Sequence, residues 1–264
     1  MTRSNTDRPS SSGNLPQATR NMTTADAQSP SVCILCGGRG TRLKPTTDVM
    51  PKALVQLNGR PVLDYVIEFY SRKGLKRFIL CVGYKAELIR DYYADPPEGT
   101  KIRFSDEGVE ASMLHRLYAL RDTFDGSLIV SYGDTFIDLD LDLLLKTHVD
   151  REAEATIVTA NIRSPFGLVK QDGQGWVTSF VEKPLLNYYI GSFVLQRSAL
   201  DRVTPSHLAL PDGEGLVKFF EELSVDRALG MFQHEGGQIT FNTETERQEA
   251  EEAMGRFYTH TEIS

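Results

Sequence analysis

After the first thirty positions, short apolar runs alternate with segments in which apolar residues recur at helical spacing. Apolar runs bounded by turn residues predict buried strands, and apolar positions on one helical face predict helices. The predicted strands are Ser31–Cys36, Arg77–Val82, Lys101–Ser105 and Ser127–Tyr132, and the predicted helices are Pro61–Gly74, Lys85–Ala94 and Ser112–Thr123. Because strands that alternate with helices are joined by right-handed crossovers, this pattern predicts an α/β fold with a doubly wound, mainly parallel sheet.

The second half of the chain has more strand pattern and a less regular alternation. The predicted strands are Ala155–Ile162, Phe166–Lys170, Trp176–Glu182, Tyr189–Gln196, Met231–Glu235 and Gln238–Asn242, and the predicted helices are Gly215–Leu229 and Glu244–Phe257. We expect these strands to extend the sheet and to build a β-rich lid over one of its edges.

The two ends of the chain differ from this central part. Residues 1–30 contain five Ser and five Thr and few apolar residues, which predicts a disordered tail. They lack the apolar stretch of a secretory signal, although a slight excess of Arg over Asp keeps a transit peptide as an alternative. Met22 is an alternative translation start. We therefore expect one domain over residues 31–258 and a short tail over residues 259–264.

Composition excludes several classes of protein. The 264 residues include 29 Lys and Arg against 36 Asp and Glu, a net charge of −7, so binding to a nucleic-acid backbone is not expected. No apolar run approaches the roughly 20 residues that cross a bilayer, so no membrane association is expected. Three cysteines are too few for a disulfide framework, and a reducing cytoplasm is the simplest compartment.

A glycine-rich segment directly follows the first predicted strand. Glycines at such a turn let backbone N–H groups approach phosphate oxygens closely. The segment matches neither the P-loop, which ends in Gly-Lys-Ser/Thr, nor G-x-G-x-x-G, because Leu43 occupies the last glycine position. It carries the cations Arg39, Arg42, Lys44 and Lys52 within fourteen residues of an acidic chain. This concentration of positive charge indicates a polyphosphate site, with a solvated loop as the alternative.

Polar residues also follow two later strands. Asp134 comes directly after the strand Ser127–Tyr132, and ligands of open α/β sheets bind at the carboxyl ends of the strands. A carboxylate at that edge, opposite nucleotide phosphates, is a natural Mg²⁺ ligand; the alternative is an aspartate that caps the next helix. Glu182-Lys183-Pro184 ends the strand Trp176–Glu182 and, by itself, is also typical of an exposed strand end.

These segments together resemble the signature of sugar-1-phosphate nucleotidylyltransferases, and within that superfamily they are most similar to glucose-1-phosphate cytidylyltransferases. The resemblance is carried by GGRGTRLKPTT from Gly37, by PKALVQLNGRPVLDYVIEFYSRKGLKRFILCVGYKAELIRDYY from Pro51, by Tyr132-Gly133-Asp134, by Phe166-Gly167 and by Ser179–Pro184. It implies a Rossmann-like fold of the nucleotide-diphospho-sugar transferase type. It also implies transfer of a nucleoside monophosphate from a nucleoside triphosphate, with CTP favoured, to a sugar 1-phosphate.

The resemblance further implies roles for individual residues. Leu35, Gly37, Gly38 and Gly83 would contact the base and ribose, and the nucleotide-binding set would also include Gly40, Thr41, Arg42, Ser112 and Gly133. Arg42 and Lys52 would hold phosphates, and Mg²⁺ would be bound by Asp134 and Asn242. The sugar 1-phosphate would be contacted by Gly167, Glu182 and Lys183, and the catalytic set would be Arg42, Lys52, Asp134 and Lys183.

The sequence departs from the family pattern at two informative positions. His115 stands where the cytidylyl group has an arginine that serves the base and phosphates. Asn242 replaces an aspartate that is a second Mg²⁺ ligand; its amide oxygen can serve as well, or the residue can cap the helix that begins at Glu244.

Other functions stay open at this point. The base could be guanine, thymine or uracil, and the sugar a hexose or heptose. The chain could also be a non-catalytic relative that binds nucleotide sugars. Asp138, Asp140 and Asp142 offer the D-x-D pattern of metal-dependent glycosyltransferases, although they also suit the start of a helix. We interpret Cys33 and Cys36 as core residues, and a homo-oligomer is compatible with the sequence.

Overall fold

The computed structural model describes residues 30–261, without the side chains of Arg256 and of residues 258–261. The predicted disordered tail therefore lies outside the described residues apart from Pro30, and so do residues 262–264. Within the described part, no helix combines the length and the apolar character that crossing a bilayer requires.

Thirteen strands and eight α-helices are numbered here in chain order. The strands are β1 Ser31–Leu35, β2 Gln56–Leu57, β3 Arg60–Pro61, β4 Arg77–Val82, β5 Lys101–Asp106, β6 Ser127–Tyr132, β7 Thr135–Ile137, β8 Ala155–Arg163, β9 Leu168–Gln171, β10 Val177–Val181, β11 Leu185–Gln196, β12 Leu229–His234 and β13 Gln238–Thr240. The helices are α1 Thr46–Val49, α2 Val62–Arg72, α3 Ala86–Tyr92, α4 Met113–Ala119, α5 Leu141–Asp150, α6 Pro205–Leu208, α7 Glu214–Val225 and α8 Glu244–Thr261. Short 3₁₀ turns lie at Thr41–Leu43, Lys52–Leu54 and Arg197–Arg202.

Seven strands form the central sheet in the order β12-β8-β11-β6-β1-β4-β5. The β4–β5, β1–β4, β1–β6 and β8–β12 pairs are parallel, while β11 runs antiparallel to both β6 and β8. The prediction of a doubly wound, mainly parallel sheet is therefore confirmed. The ends of three neighbouring parallel strands lie side by side, because Leu35 is in register with both Cys81 and Tyr132.

Helices cover both faces of this sheet and bury two hydrophobic clusters. One face packs against α2, whose Leu63, Val66, Ile67 and Tyr70 are buried. The other face packs against α4 and α7. Cys36 belongs to the first cluster and Cys33 to the second, as expected for positions three apart on extended backbone. All three cysteines are buried thiols, and the Sγ atoms of Cys33 and Cys81 lie 3.5 Å apart.

Several boundaries differ from the predicted ones because long-range pairing sets them. The helix predicted to reach Leu229 ends at Val225, since Leu229 begins β12 and pairs with Ala155. Strand β11 begins at Leu185 instead of Tyr189, because its first residues pair with the end of β8. The strands β9 and β10 pair with each other and not with the large sheet. The strand β13 pairs with β7, a strand that the pattern did not indicate.

Candidate active site

The carboxyl ends of β1, β4 and β6 place three backbone segments next to one another. The N–H of Gly133 donates to the carbonyl of Leu35 at 2.9 Å, and the N–H of Tyr84 donates to the carbonyl of Gly37 at 2.9 Å. The loops after these strands, including the glycine-rich loop 36–43, therefore surround a single cleft at this edge of the sheet.

The cleft has a volume of about 550 Å³. Most of the predicted nucleotide, catalytic and metal residues line it: Leu35, Gly37, Gly38, Gly40, Thr41, Arg42, Lys52, Gly133, Asp134 and Asn242. Five predicted site residues are not among its lining: Gly83, Ser112, Gly167, Glu182 and Lys183. Of these, Gly83 packs against the backbone of Gly37. Ser112 is buried between the lining residues Ala111 and Met113.

One lysine in the cleft contacts the side-chain oxygens of two residues that are distant in sequence. The Nζ atom of Lys52 donates to Oδ2 of Asp134 at 2.6 Å and to Oδ1 of Asn242 at 3.1 Å. The same ammonium group lies 5.2 Å from the centre of the Phe241 ring. The Lys52 side chain is only 11% exposed, so this pair of contacts is largely shielded from water. The two oxygens therefore converge on one position that carries a positive charge.

Neither Asp134 nor Asn242, the two residues whose oxygens accept from Lys52, caps a helix. Thr243 caps α8, because its Oγ1 accepts from the N–H of Glu246 at 3.2 Å. The Glu246 carboxylate in turn accepts from the backbone N–H of Asn242 at 2.6 Å, which leaves the Asn242 amide oxygen to Lys52. Asp134 is followed by the strand β7 and accepts from the Thr135 hydroxyl at 3.2 Å. The capping alternatives for Asn242 and Asp134 are therefore not supported.

The cations of the glycine-rich segment have different surroundings. Arg39 pairs with Glu110 at 2.6 Å, and Lys44 pairs with Asp48 at 3.0 Å and does not line the cleft. Arg42 is exposed, lines the cleft and forms no ion pair with any residue that the structure describes. Among these three, Arg42 is thus the cation that is free to meet an anionic ligand.

A buried arginine, Arg116, completes the cleft and was missed by the sequence analysis. It is 4% exposed, and its guanidinium donates to the carbonyl oxygens of Val82 and Gly108, the latter at 2.6 Å. The guanidinium fills the space beside two glycines: a Cβ atom on Gly37 would lie 2.6 Å from its Cζ atom, and one on Gly83 would lie 2.7 Å from its Nη2 atom.

The sequence pattern aligns His115 with the arginine of the family. In the structure His115 is exposed, and the next residue, Arg116, points into the cleft. The position that faces the cleft is thus one residue later than the motif suggests, because α4 begins at Met113. The Ser112 hydroxyl caps this helix by accepting from the N–H of His115 at 3.2 Å. Helical phase, which the alignment of motifs does not reveal, decides which side chain faces the cleft.

The thiol of Cys36 lines the cleft but is not a candidate nucleophile. Burial raises its pKa well above the usual range, and its Sγ donates to the Cys81 carbonyl at 3.4 Å. Because the thiolate is the reactive form, this cysteine is inert. Tyr132, on the other side of the cleft, also has its pKa raised by burial, and its hydroxyl accepts from that of Tyr189 at 3.4 Å.

The predicted sugar-side residues lie together and are not among the residues that line the cleft. A Cβ atom on Gly167 would be 2.9 Å from the Phe180 ring and 3.3 Å from Oε2 of Glu182, so these positions are in contact. Lys183 is exposed, with a positive φ of 43°, and its carbonyl accepts from Arg163 at 3.1 Å. All of these residues lie at the base of the β9–β10 pair, so the structure does not bring them to Arg42 or Asp134.

The acidic run after β7 belongs to a helix start. Asp140 caps α5, since its Oδ1 accepts from the N–H of Leu143 at 3.0 Å, and Asp142 lies in the first turn. In the described part of the chain, no group of three or more His, Cys, Asp or Glu side chains is placed to hold a metal ion, so these three aspartates do not form a carboxylate cluster. The D-x-D alternative therefore has no geometric support.

Comparison with known proteins gives a consistent result. The chain is 29% identical over 227 residues to the "Probable glucose-1-phosphate cytidylyltransferase" of Bacillus subtilis, covering 77% of this chain and 87% of the relative. It is 37% identical over 153 residues to the D-glycero-alpha-D-manno-heptose 1-phosphate guanylyltransferase of Campylobacter jejuni, covering 57% of this chain and 67% of the relative. Its fold is similar to the crystal structure of HddC from Yersinia pseudotuberculosis, with a TM-score of 0.66, 24% identity, and coverage of 86% of this chain and 100% of that one.

The model of the family described as "Nucleotidyl transferase" matches residues 31–213, which include the glycine-rich loop, Lys52, Arg116 and Asp134. This match confirms the resemblance inferred from the sequence motifs and the Rossmann-like fold that it implied. The chain therefore belongs to the nucleotidyl transferase family.

Proposed function

We propose that this chain transfers a nucleoside monophosphate from a nucleoside triphosphate, with CTP favoured, to a sugar 1-phosphate, giving a nucleotide sugar and pyrophosphate. The observation that carries this proposal is the arrangement of Lys52, Asp134 and Asn242 beside the glycine-rich loop and the unpaired Arg42. A cleft with a glycine-rich loop, one unpaired arginine and two convergent oxygen ligands suits a triphosphate.

In this reaction an oxygen of the sugar phosphate attacks the α-phosphorus of the nucleotide. One P–O bond forms there, and the bond to the departing pyrophosphate breaks. No protein nucleophile is required, which agrees with the inert thiol of Cys36. Catalysis then depends on alignment of the reactants and on stabilisation of charge on the phosphate oxygens. Arg42 and Lys52 are the residues that we assign to that charge.

Mg²⁺ is the proposed metal, and the donor set fits it. The oxygens of Asp134 and Asn242 converge on a position that the Lys52 ammonium holds in the structure, so a cation is accommodated between them. Mg²⁺ prefers oxygen ligands and is usually held by one or two protein groups plus substrate phosphates. When bound, it would neutralise charge on the phosphates. Asp134 and Asn242 would hold it, and Lys52 would then be free to bind a phosphate oxygen.

For the sugar 1-phosphate we propose Glu182 as the acceptor of hydroxyl hydrogen bonds, Lys183 as the cation for the phosphate and Gly167 as a close backbone contact. The contact between Gly167 and Glu182 supports a common role for these positions. Because both lie at the base of the β9–β10 pair, productive binding requires that this pair approach the cleft. The pair would then act as the β-rich lid that the strand pattern predicts.

The preference for CTP rests on the similarity to the cytidylyltransferases, and the base itself would be selected near Gly83, Ser112 and Arg116. Relatives that carry the names of guanylyl- and uridylyltransferases are also similar to the chain, so GTP and UTP, together with dTTP, are the alternative donors. We further propose the cytoplasm as the compartment, since its reducing environment keeps three buried thiols unpaired.

The test is a screen for pyrophosphate release. Five nucleoside triphosphates would be combined with hexose and heptose 1-phosphates, with and without Mg²⁺. We expect Mg²⁺-dependent release only when both substrates are present, fastest with CTP. Thermal stabilisation by nucleotides without any turnover would instead indicate a non-catalytic binding protein. Faster turnover with another base would retain the reaction and correct the donor.

A further inference from the structure

A second cavity, with a volume of about 500 Å³, lies between α2, the end of α3 and the loop that leads from α3 to β5. We call it the acidic cavity, because its lining includes Asp64, Glu68, Asp95 and Glu98. It shares no lining residue with the cleft described above. A cavity of this size is typical of sites for small molecules, so it is a candidate binding site separate from the cleft.

One wall of the acidic cavity is held together by Asp64. Its Oδ2 accepts from the Tyr92 hydroxyl at 2.8 Å and its Oδ1 from the Tyr93 hydroxyl at 2.6 Å. Burial and the hydrogen bond to Asp64 raise the pKa of Tyr92 to about 12, so its hydroxyl remains a donor at neutral pH. The Nε atom of Arg60 lies 3.6 Å from Oδ2 of the same carboxylate. These contacts join α2 to the end of α3, so the cavity is formed before any ligand binds.

Two carboxylates of the acidic cavity have no cationic partner. Glu68 is paired with Arg60 and with Arg72. Asp95 and Glu98 are both exposed, and neither forms an ion pair with a residue that the structure describes. Because two negative charges line one cavity without compensation, the cavity attracts a ligand of positive charge.

The remaining lining suits a ligand that is partly hydrocarbon. Ile67, Pro97 and the half-exposed ring of Tyr92 offer apolar surface, and the Tyr92 ring packs edge-on against Tyr93 with 4.9 Å between the ring centres. Tyrosine rings also attract ammonium groups. The hydroxyl oxygen of Ser71, another lining residue, is shielded from water and has no hydrogen-bond partner among the described residues. A buried hydroxyl of this kind requires an explanation, and an N–H donor from a ligand would supply one.

We propose that the acidic cavity binds a linear aliphatic polyamine, a chain of methylene groups that carries several ammonium groups. Asp95 and Glu98 would pair with ammonium groups of the ligand. Ile67 and the Tyr92 ring would contact the methylene groups between them, and the Ser71 hydroxyl would accept from an ammonium group. A metal ion does not suit the cavity, because no group of three or more His, Cys, Asp or Glu side chains in the described chain is placed to hold one.

Isothermal titration calorimetry of the full chain with spermidine tests this site. A salt concentration of about 0.15 M screens the general attraction of a cation to a chain with a net charge of −7. We expect a single site for spermidine and weaker binding of putrescine, which has one ammonium group fewer. No binding is expected for 1,4-butanediol, which replaces both ammonium groups of putrescine with neutral hydroxyls. This comparison requires no variant of the protein.

A matched pair of double variants separates the cavity from the charge of the chain. Asp95→Asn with Glu98→Gln should weaken spermidine binding by about 10-fold, because two ion pairs are lost. The control combines Asp125→Asn with Glu235→Gln, which alters the net charge equally at two exposed acids outside the cavity. The control should bind spermidine as the wild type does.

Two single positions test the walls of the acidic cavity. Tyr92→Leu should weaken spermidine binding by about 3-fold, whereas Tyr92→Phe should retain most of the affinity, because the ring alone attracts the ammonium group. Ser71→Ala should weaken binding by about 5-fold, as loss of one hydrogen bond does. Without spermidine its melting temperature should equal that of the wild type, since the hydroxyl has no partner to lose.

Equal weakening by the two double variants, or several equivalent sites for spermidine, would show general charge attraction and overturn the proposal. Tighter binding of Mg²⁺ at the same site would indicate a metal site instead, and tighter binding of a tetralysine peptide would indicate a protein partner. Circular dichroism and melting curves identify variants that fail to fold. The titrations need no turnover, so their result is independent of the proposed reaction.

Discussion

Lys52 and Asp134 come from different loops and form a shielded ion pair at the centre of the cleft, with 2.6 Å between Nζ and Oδ2. The Asn242 amide oxygen accepts from the same ammonium group at 3.1 Å. The lysine therefore balances the charge of Asp134 and holds the side-chain oxygens of Asp134 and Asn242 close to each other. Under the proposed function, Mg²⁺ would take the place of the ammonium between these two oxygens, and Lys52 would bind a phosphate oxygen.

Asp134→Asn is expected to lower kcat by about 100-fold or more, because the carboxylate contributes charge stabilisation of several kcal/mol. The fold should persist, since the Asp134 side chain is partly exposed and belongs to neither hydrophobic cluster. Pyrophosphate release and a melting curve measure both effects. Asp142→Asn, on the first turn of α5, is the control and should leave both unchanged. More than a tenth of the wild-type kcat in Asp134→Asn, with normal melting, would contradict the metal assignment.

Asn242 and Thr243 are expected to separate metal binding from helix capping. Asn242→Leu should raise the Mg²⁺ concentration for half-maximal rate, and Asn242→Asp should lower it, because a carboxylate adds a negative charge to the donor pair. Thr243→Ala should reduce the free energy of unfolding by about 1 kcal/mol without changing the Mg²⁺ titration. If Asn242→Leu retains the wild-type titration and only melts earlier, Asn242 has a structural role alone.

Gly37→Ala is expected to destabilise the protein by displacing the Arg116 guanidinium, since the new Cβ would lie 2.6 Å from Cζ. Gly38→Ala is the matched control, because a Cβ there meets nothing within 4 Å. Melting temperatures without nucleotide should fall for the first variant only. In an Arg116→Ala background the effect of Gly37→Ala should largely disappear. Equal effects in both backgrounds would refute a coupling between these residues.

Arg42→Ala and Lys183→Ala are expected to affect different substrates. Arg42 lies in the glycine-rich loop, and its removal should lower kcat by roughly 100-fold, as loss of one donor to a developing charge does. Lys183→Ala should raise the KM for the sugar 1-phosphate by roughly 10-fold, with little change in the KM for the nucleotide. Steady-state kinetics with each substrate varied make this comparison, with Lys146→Ala on α5 as control. Small and equal effects of both changes would mean that the glycine-rich loop and the segment after β10 that carries Lys183 do not serve one site.

His148 is expected to make stability depend on pH. Burial lowers its pKa below the ordinary 6.5, and its ring contacts Thr156 and Gln196 at 2.8 and 3.1 Å. The unfolded chain then binds a proton more readily than the folded one, so this contribution is complete above pH 6.5 and is lost as the pH falls towards the folded pKa. Denaturant unfolding at pH 7.5 and 5.5 should show a smaller decrease for His148→Gln than for the exposed-residue control His115→Gln.

Much of the site could be predicted from the sequence because local patterns fix it. The strands β1, β4 and β6 are short apolar runs, and a parallel sheet requires that the loops after them meet at one edge. This requirement alone predicts that Arg42, Lys52 and Asp134 share one cleft, and all three line it. Asn242 joined them through the resemblance to the family, and the structure adds its hydrogen bond to Lys52.

Tertiary structure decided what depends on pairing and helical phase. Arg116 faces the cleft and His115 faces solvent because α4 begins at Met113, and motif spacing carries no information on that phase. The β9–β10 strands have an ordinary strand pattern, and only the absence of a partner from the large sheet leaves Trp176 and Phe180 exposed. Alternation along a strand records which residues share a face, but contacts distant in sequence determine whether anything covers that face.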